Sequence, residues 1–248
     1  MNNIPKSNIP SLSCIRLVLL SCITLFSLSC KDSEKQPEAG TDPISKCLMA
    51  KDHKYEELLT KADIAKHVTI DESSYKMNLS SIKGVYGSCS YEWLSNRPDL
   101  EIEVSGQVIK GPDKNRVKLT KLDFYTDKEL QLYKHDSAIS LFDKSYKKLS
   151  QQEYNELLAN LKKEYANSET DFKQAKSFLD QRMKFTFEPV QNLGDRAYWK
   201  WNDTYGLELV VLSGVAHFTI ETKVSAKAES SLEAAVKFAK EVLAKCKS

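Results

Sequence analysis

The 248-residue chain has no His-Glu-x-x-His run, no cysteines at zinc-ligand spacing, no Gly-x-Ser-x-Gly elbow, no phosphate-cradling glycine loop and no dinucleotide fingerprint. These absences leave no motif for a zinc hydrolase, an α/β-hydrolase, an NTPase or a nicotinamide enzyme. The four histidines, His53, His67, His135 and His217, are scattered, and acids such as Asp123 have no partner at a telling spacing. His217 lies two outward positions from Glu221 on one strand, and the simpler expectation for it is a solvent-facing side chain. Charge of one sign is missing too. Of 36 basic residues only Lys6 and Arg16 precede Cys30, and no acid does, so the chain beyond Cys30 balances at 34 of each sign. A nucleic-acid partner normally requires a basic excess or a basic face. The expectation is no enzyme, no metal, no cofactor and no nucleic acid.

One apolar run stands out, Leu17 to Leu28, preceded by Arg16 and ending in Ser29-Cys30-Lys31-Asp32. It is shorter than the roughly 20 residues that cross a bilayer, but it has the length and the positive flank of an export signal. The segment resembles the leader of bacterial lipoproteins, in which small residues precede a cysteine that is diacylated and becomes the mature N-terminus. Cys30 is the expected lipidation site. Leu19-Leu20-Ser21-Cys22 offers a second match, but cleavage there leaves a short core and an apolar tail, Ile23 to Leu28, on the mature chain. An ordinary secretory peptide cut nearby, with Cys30 free, is the alternative. Lys31-Asp32-Ser33-Glu34 also resembles the charged motif after the cysteine in surface-displayed lipoproteins of the Bacteroidetes. The expected layout is a signal peptide over 1–29, a lipidated flexible tether over 30–45 and one extracytoplasmic domain over 46–248.

Within that domain, Thr60 and Asp63 stand as N-cap and third residue of a short helix. Alternation then predicts three strands, carried by Cys89, Tyr91 and Trp93, by Leu100, Ile102 and Val104, and by Val117 and Leu119. The period changes to helical over 136–183. A helix is expected over 136–149, Ser150 and Glu153 form a capping box ahead of Tyr154, Leu157, Leu158 and Leu161, and Ser168 with Asp171 opens another helix. Four strands follow, marked by Phe185 and Phe187, by Ala197, Trp199 and Trp201, by Leu207, Leu209 and Val211, and by Phe218, Ile220 and Val224. Ser230 and Glu233 are expected to cap a terminal amphipathic helix whose apolar stripe runs from Leu232 to Cys246, with Glu233–Lys237 and Glu241–Lys245 on its outer face. Strands grouped between helices predict an α+β fold, an antiparallel sheet with helices packed on it and a helical insertion in the middle. With Trp199 and Trp201 inward, Tyr198 and Lys200 form a candidate binding surface on the outward face.

Cys47, Leu58-Leu59-Thr60, Cys89-Ser90-Tyr91-Glu92-Trp93, Gly194-Asp195-Arg196-Ala197-Tyr198-Trp199 and the terminal helix together resemble a poorly characterised group of bacterial envelope lipoproteins. The resemblance covers about residues 45–125 and 184–246, and it implies an α+β fold, an envelope location and no established activity. Three cysteines remain after Cys30, which in an oxidising compartment gives one disulfide and one odd thiol. The resemblance implies Cys47 with Cys89, a closure expected to contribute about 3 to 5 kcal/mol. Cys47 with Cys246 is the competing pair, although Cys246, on the apolar stripe, also reads as a small buried hydrophobe.

The chain therefore reads as a cell-envelope protein held by its lipid, a non-catalytic binding or structural module for an unknown protein or small ligand. An inhibitor or immunity-type lipoprotein, and an envelope hydrolase whose site assembles only in space, are the alternatives. A pocket with converging histidine and acid side chains would favour the hydrolase.

Overall fold

A computed structural model describes residues 42–80, 87–104, 106–184 and 187–247. Residues 1–41, which hold the expected leader, the expected lipidation site Cys30 and most of the expected tether, lie outside the described residues.

The chain enters through α1 (Pro43–Ala50), which Asp42 caps by accepting from the Ile44 and Ser45 amides, with proline in the first turn where its missing N–H does no harm. Helix α1 thus begins inside the 30–45 span expected as tether. Ser45 is fully buried, and its hydroxyl donates to the Ser213 carbonyl at 2.9 Å while accepting from the Val215 amide at 3.1 Å. Gly214, between those two contacts, has φ 61°, and a Cβ there would strike Ser45 and the Asp42 carboxylate. These contacts lay the first helix against the β8–β9 turn described next. Two short helices follow, α2 (Tyr55–Leu58) and α3 (Lys61–Ala65), the latter opened by the expected Thr60–Asp63 capping box.

The strands are β1 (Lys76–Ser80), β2 (Ser88–Leu94), β3 (Leu100–Val104), β4 (Gln107–Gly111), β5 (Lys114–Phe124), β6 (Glu188–Pro189), β7 (Arg196–Asn202), β8 (Gly206–Ser213) and β9 (Ala216–Lys223). Seven of them form one sheet in the order β1-β2-β5-β9-β8-β7-β6, with every neighbouring pair antiparallel. Strands β3 and β4 form a separate hairpin. Among the described residues the first half thus has five strands where alternation predicts three, because β1 and β4 carry no buried side chain to write a period into the sequence. Of the strand expected around Phe185 and Phe187, Phe185 lies outside the described residues, and Glu188–Pro189 form β6.

The inward face of the sheet carries Cys89, Tyr91, Trp93, Val117, Leu119, Leu207, Leu209, Val211, Phe218 and Ile220. Against it pack α1 to α3 and the terminal helix α8 (Ala228–Ala244), through Ala234, Ala235, Phe238, Ala239, Val242 and Leu243. Helix α8 starts before the expected Ser230 cap, after Lys227, whose side chain makes no capping hydrogen bond. Glu233 and Lys237 pair at 2.7 Å as expected, but Glu241 and Lys245 do not face each other. They reach across to α3, Glu241 to Lys66 and His67 and Lys245 to Asp63 at 2.5 Å.

The disulfide joins Cys47 to Cys246, with Cα atoms 5.4 Å apart, and corrects the pairing that the resemblance implies. The cause is the docking of α1. Its seat on the Ser213–Val215 turn brings Cys47 beside the end of α8, whereas Cys89 faces the core from β2, fully buried and unpaired.

Asp63 supplies a pH dependence. Burial on its own raises its carboxyl, but hydrogen bonds from Lys245, Thr60 and Lys66 outweigh that and hold it far below the usual carboxylate range. A depressed folded pKa stabilises the fold above the unfolded value of about 4, and that contribution fades as pH falls below it. Asp63→Asn should therefore lower stability by about 1–3 kcal/mol at pH 7. The gap between variant and wild type should narrow in urea melts as pH falls below about 4, without closing by pH 3; a gap independent of pH would contradict the assignment.

Candidate functional site

The outer face of the sheet is covered at one end. Helix α5 (Ala138–Tyr146), capped by Ser137, lays Ala138 and Phe142 onto Tyr198, Val210 and Leu212, with Phe187, Tyr125 and Tyr146 around them. Tyr198, expected on an open face, is 6% exposed, and its hydroxyl donates to Asp143 at 2.8 Å. Burial, then that carboxylate, pushes it up to about 12. Lys200 pairs with Glu208 at 2.7 Å and lies 4.6 Å over the Phe187 ring. The Tyr198 part of the expected surface is thus corrected, because the insertion buries it, while Lys200 stays partly exposed on the outward face beside Glu208. Beyond the helix the same face is a lattice of charge, Lys200 and Lys121 on Glu208 and Lys118 on Glu221.

Between these regions a β-bulge re-aims one strand. The β5–β9 register shifts between Thr120 and Asp123, and Lys121 sits at φ 53°. Before the bulge Val117 and Leu119 face the inward core; after it Leu122 and Phe124 do, so Asp123 and Tyr125 turn outward. Asp123 thereby stands opposite His217 in register, with the Tyr125 ring 4.6 Å from the imidazole. Glu129 is set beside them by the Thr126 capping box that opens α4 (Asp127–Leu132), a helix absent from the sequence reading. His217 is half-buried instead of solvent-facing, and Glu221 is held by Lys118. Burial pulls the His217 imidazole down, while Asp123 and Glu129 oppose the shift, so the ring is neutral at pH 7. Burial likewise pushes the Tyr125 and Tyr146 hydroxyls up.

The rest of the insertion forms an open wall. Helices α6 (Gln151–Glu164) and α7 (Glu169–Met183) pair with each other, joined by Tyr154 donating to Asp180 at 2.6 Å, and of their residues only Leu179 is buried. Where α7 passes the bulged end of the sheet it leaves a cleft of about 620 Å³. Asp123, Tyr125 and His217 line it from the sheet, and Glu129, Tyr133, Leu141, Lys144, Ser145, Phe178, Gln181 and Arg182 from the helices. The cleft's serine is not poised for attack: Ser145 donates to the Leu141 carbonyl of its own helix at 3.0 Å and bonds Tyr125. The other histidines are not drawn in, His67 lying on Glu241, His53 beside Asp52 and His135 on Ser140. No group of three or more His, Cys, Asp or Glu side chains suited to a metal ion occurs among the described residues, and no described helix is long and apolar enough to cross a membrane.

The Gly-Asp-Arg segment before β7 has a structural task. Gly194 has φ 58° and lies against the Leu212 carbonyl, and the Asp195 carboxylate accepts from the Gly214 amide at 2.6 Å, tying the entry of β7 to the β8–β9 turn.

No protein-family model, curated protein or solved structure matches the chain.

Proposed function

We propose that this chain is a lipid-anchored protein of the bacterial cell envelope, moored through Cys30, whose folded body binds a small ligand without catalysis. The observation that carries the binding reading is the cleft between the outer sheet face and the helical insertion. It has the shape and chemistry of a ligand site: apolar and aromatic walls, Leu141, Phe178, Tyr125 and Tyr133, with a few convergent polar groups among them. Phe178 is 63% exposed and Tyr133 52%, an arrangement that neither the core nor the sheet requires. The lipid reading rests on the leader, its positive flank and Cys30, and a disulfide between Cys47 and Cys246 agrees with an oxidising compartment. Diacylation holds firmly where a single chain binds marginally. Balanced charge beyond Cys30 argues against a nucleic-acid partner.

The hydrolase alternative has one observation in its favour, the Asp123–His217 apposition. Its weakness is the nucleophile, since Ser145 is engaged with Leu141 and Tyr125. General-base chemistry contributes about 100-fold or more, so ester turnover by the wild type that exceeds His217→Gln by that factor would favour the enzyme. The binding reading expects no difference between the two.

Cys30→Ala should leave melting temperature and disulfide unchanged while moving the protein from the membrane pellet to the soluble envelope fraction. Retention of the variant in salt-washed membranes would refute the anchor.

A further inference from the structure

The charges of the cleft are unequally engaged. Glu129 accepts from the Thr126 amide and hydroxyl, both at 2.9 Å, and Asp123 accepts from the Phe124 amide at 2.9 Å and stands opposite His217. The cations differ. The side chains of Lys144 and Arg182 make no hydrogen bond or salt bridge to the described residues. For an exposed lysine such as Lys144 this is ordinary. For Arg182 it is not, because the side chain is half-buried in the last turn of α7, and Glu153 acts on it only from beyond salt-bridge distance. The other described arginines are all engaged, Arg97 by Asp113 and Asn115, Arg116 by the Tyr205 carbonyl and Arg196 by Asp143 and the Asp195 carbonyl. The Arg182 nitrogens still reach water, so the guanidinium is uncommitted at the cleft wall, and its planar fork matches a carboxylate or sulfonate.

Arg182 lines both the cleft and the adjoining groove of α5 and α6, which places it at their junction. On the cleft side it shares the wall with Phe178 and Leu141, and with Lys144 as a second positive charge. We propose that the cleft takes a compact apolar monoanion, an aromatic or alicyclic body bearing one carboxylate or sulfonate, with the anionic group on Arg182 and the body against Phe178 and Leu141. The proposal rests on the reading of the cleft as a binding site and adds the chemistry of its occupant. A cation is disfavoured because the acids already have partners. A polyanion is disfavoured because only two cations line the cleft, opposite two acids.

Two naphthalene dyes of matched shape test this: anilinonaphthalene sulfonate, which is anionic, and N-phenylnaphthylamine, which is neutral. Fluorescence titration of the full chain should show tighter binding of the anion. Arg182→Gln should weaken the anion about tenfold or more and leave the neutral dye unchanged, while Arg182→Lys should retain part of the preference. Phe178→Ala should weaken both dyes. Arg182 and Phe178 are not core residues, so both variants should keep the wild-type melting temperature. Equal binding of the two dyes, or an Arg182→Gln variant that binds the anion like the wild type, would overturn the anion assignment while Phe178→Ala still marks the cleft as a site. Binding of neither dye, or binding indifferent to Phe178→Ala, would overturn the proposal and the binding reading together.

Discussion

Replacing Cys47 or Cys246 by serine should lower the melting temperature by about 10–15 °C. The bond joins residues 199 apart in sequence, so it closes a loop spanning nearly all of the described chain. Loop-closure entropy for that length corresponds to about 5 kcal/mol, and a domain of this size loses about 2–4 °C per kcal/mol. Reduction of the wild type should reproduce the shift, whereas Cys89→Ser should leave the disulfide intact in non-reducing peptide maps. The test separates the two pairings cleanly. If Cys89→Ser, and not Cys246→Ser, abolished the cross-link, the docking of α1 against the end of α8 would be wrong.

The second large effect belongs to the insertion. Phe142 is fully buried, with Tyr146 at 4.7 Å and Tyr198 at 5.9 Å between ring centres, and it is the largest fully buried side chain of α5. Phe142→Ala should cost about 3–5 kcal/mol at that contact. Because α6 and α7 bury little of their own, the loss should appear as local opening rather than global unfolding. Amide exchange should rise over 138–146, with the Leu209, Phe218 and Ile220 core still protected, and dye binding in the cleft should fall with it. Unchanged exchange in α5 would mean that the insertion is held by other contacts.

Much of this architecture is written in the sequence and some of it is hidden in detail that alternation alone skips. Trp199 and Trp201 against Tyr198 and Lys200 name the two faces of β7 correctly. That the outer face is covered is also encoded, in Val210 and Leu212, apolar residues out of phase with Leu209 and Val211; a strand wet on one side would not carry them. The bulge leaves a trace of the same kind. Val117 and Leu119 are followed by Leu122 and Phe124, a change of parity that requires one extra residue and turns Asp123 towards His217. Asp42-Pro43 is a helix start, masked by the polar spacer before it. What local pattern could not supply is the long-range docking. The disulfide partner of Cys47 depends on where α1 settles against α8, and the cleft depends on where α7 passes the sheet, so Arg182 reads in sequence only as one more charge on a solvated helix.

The intact mass of the chain, extracted in mild detergent from the cells that make it, tests the proposed acylation of Cys30 most directly. The expected species begins at Cys30 and carries a thioether-linked diacylglyceryl group on that residue. A chain that keeps Met1, or one that begins elsewhere with no lipid on Cys30, would contradict it.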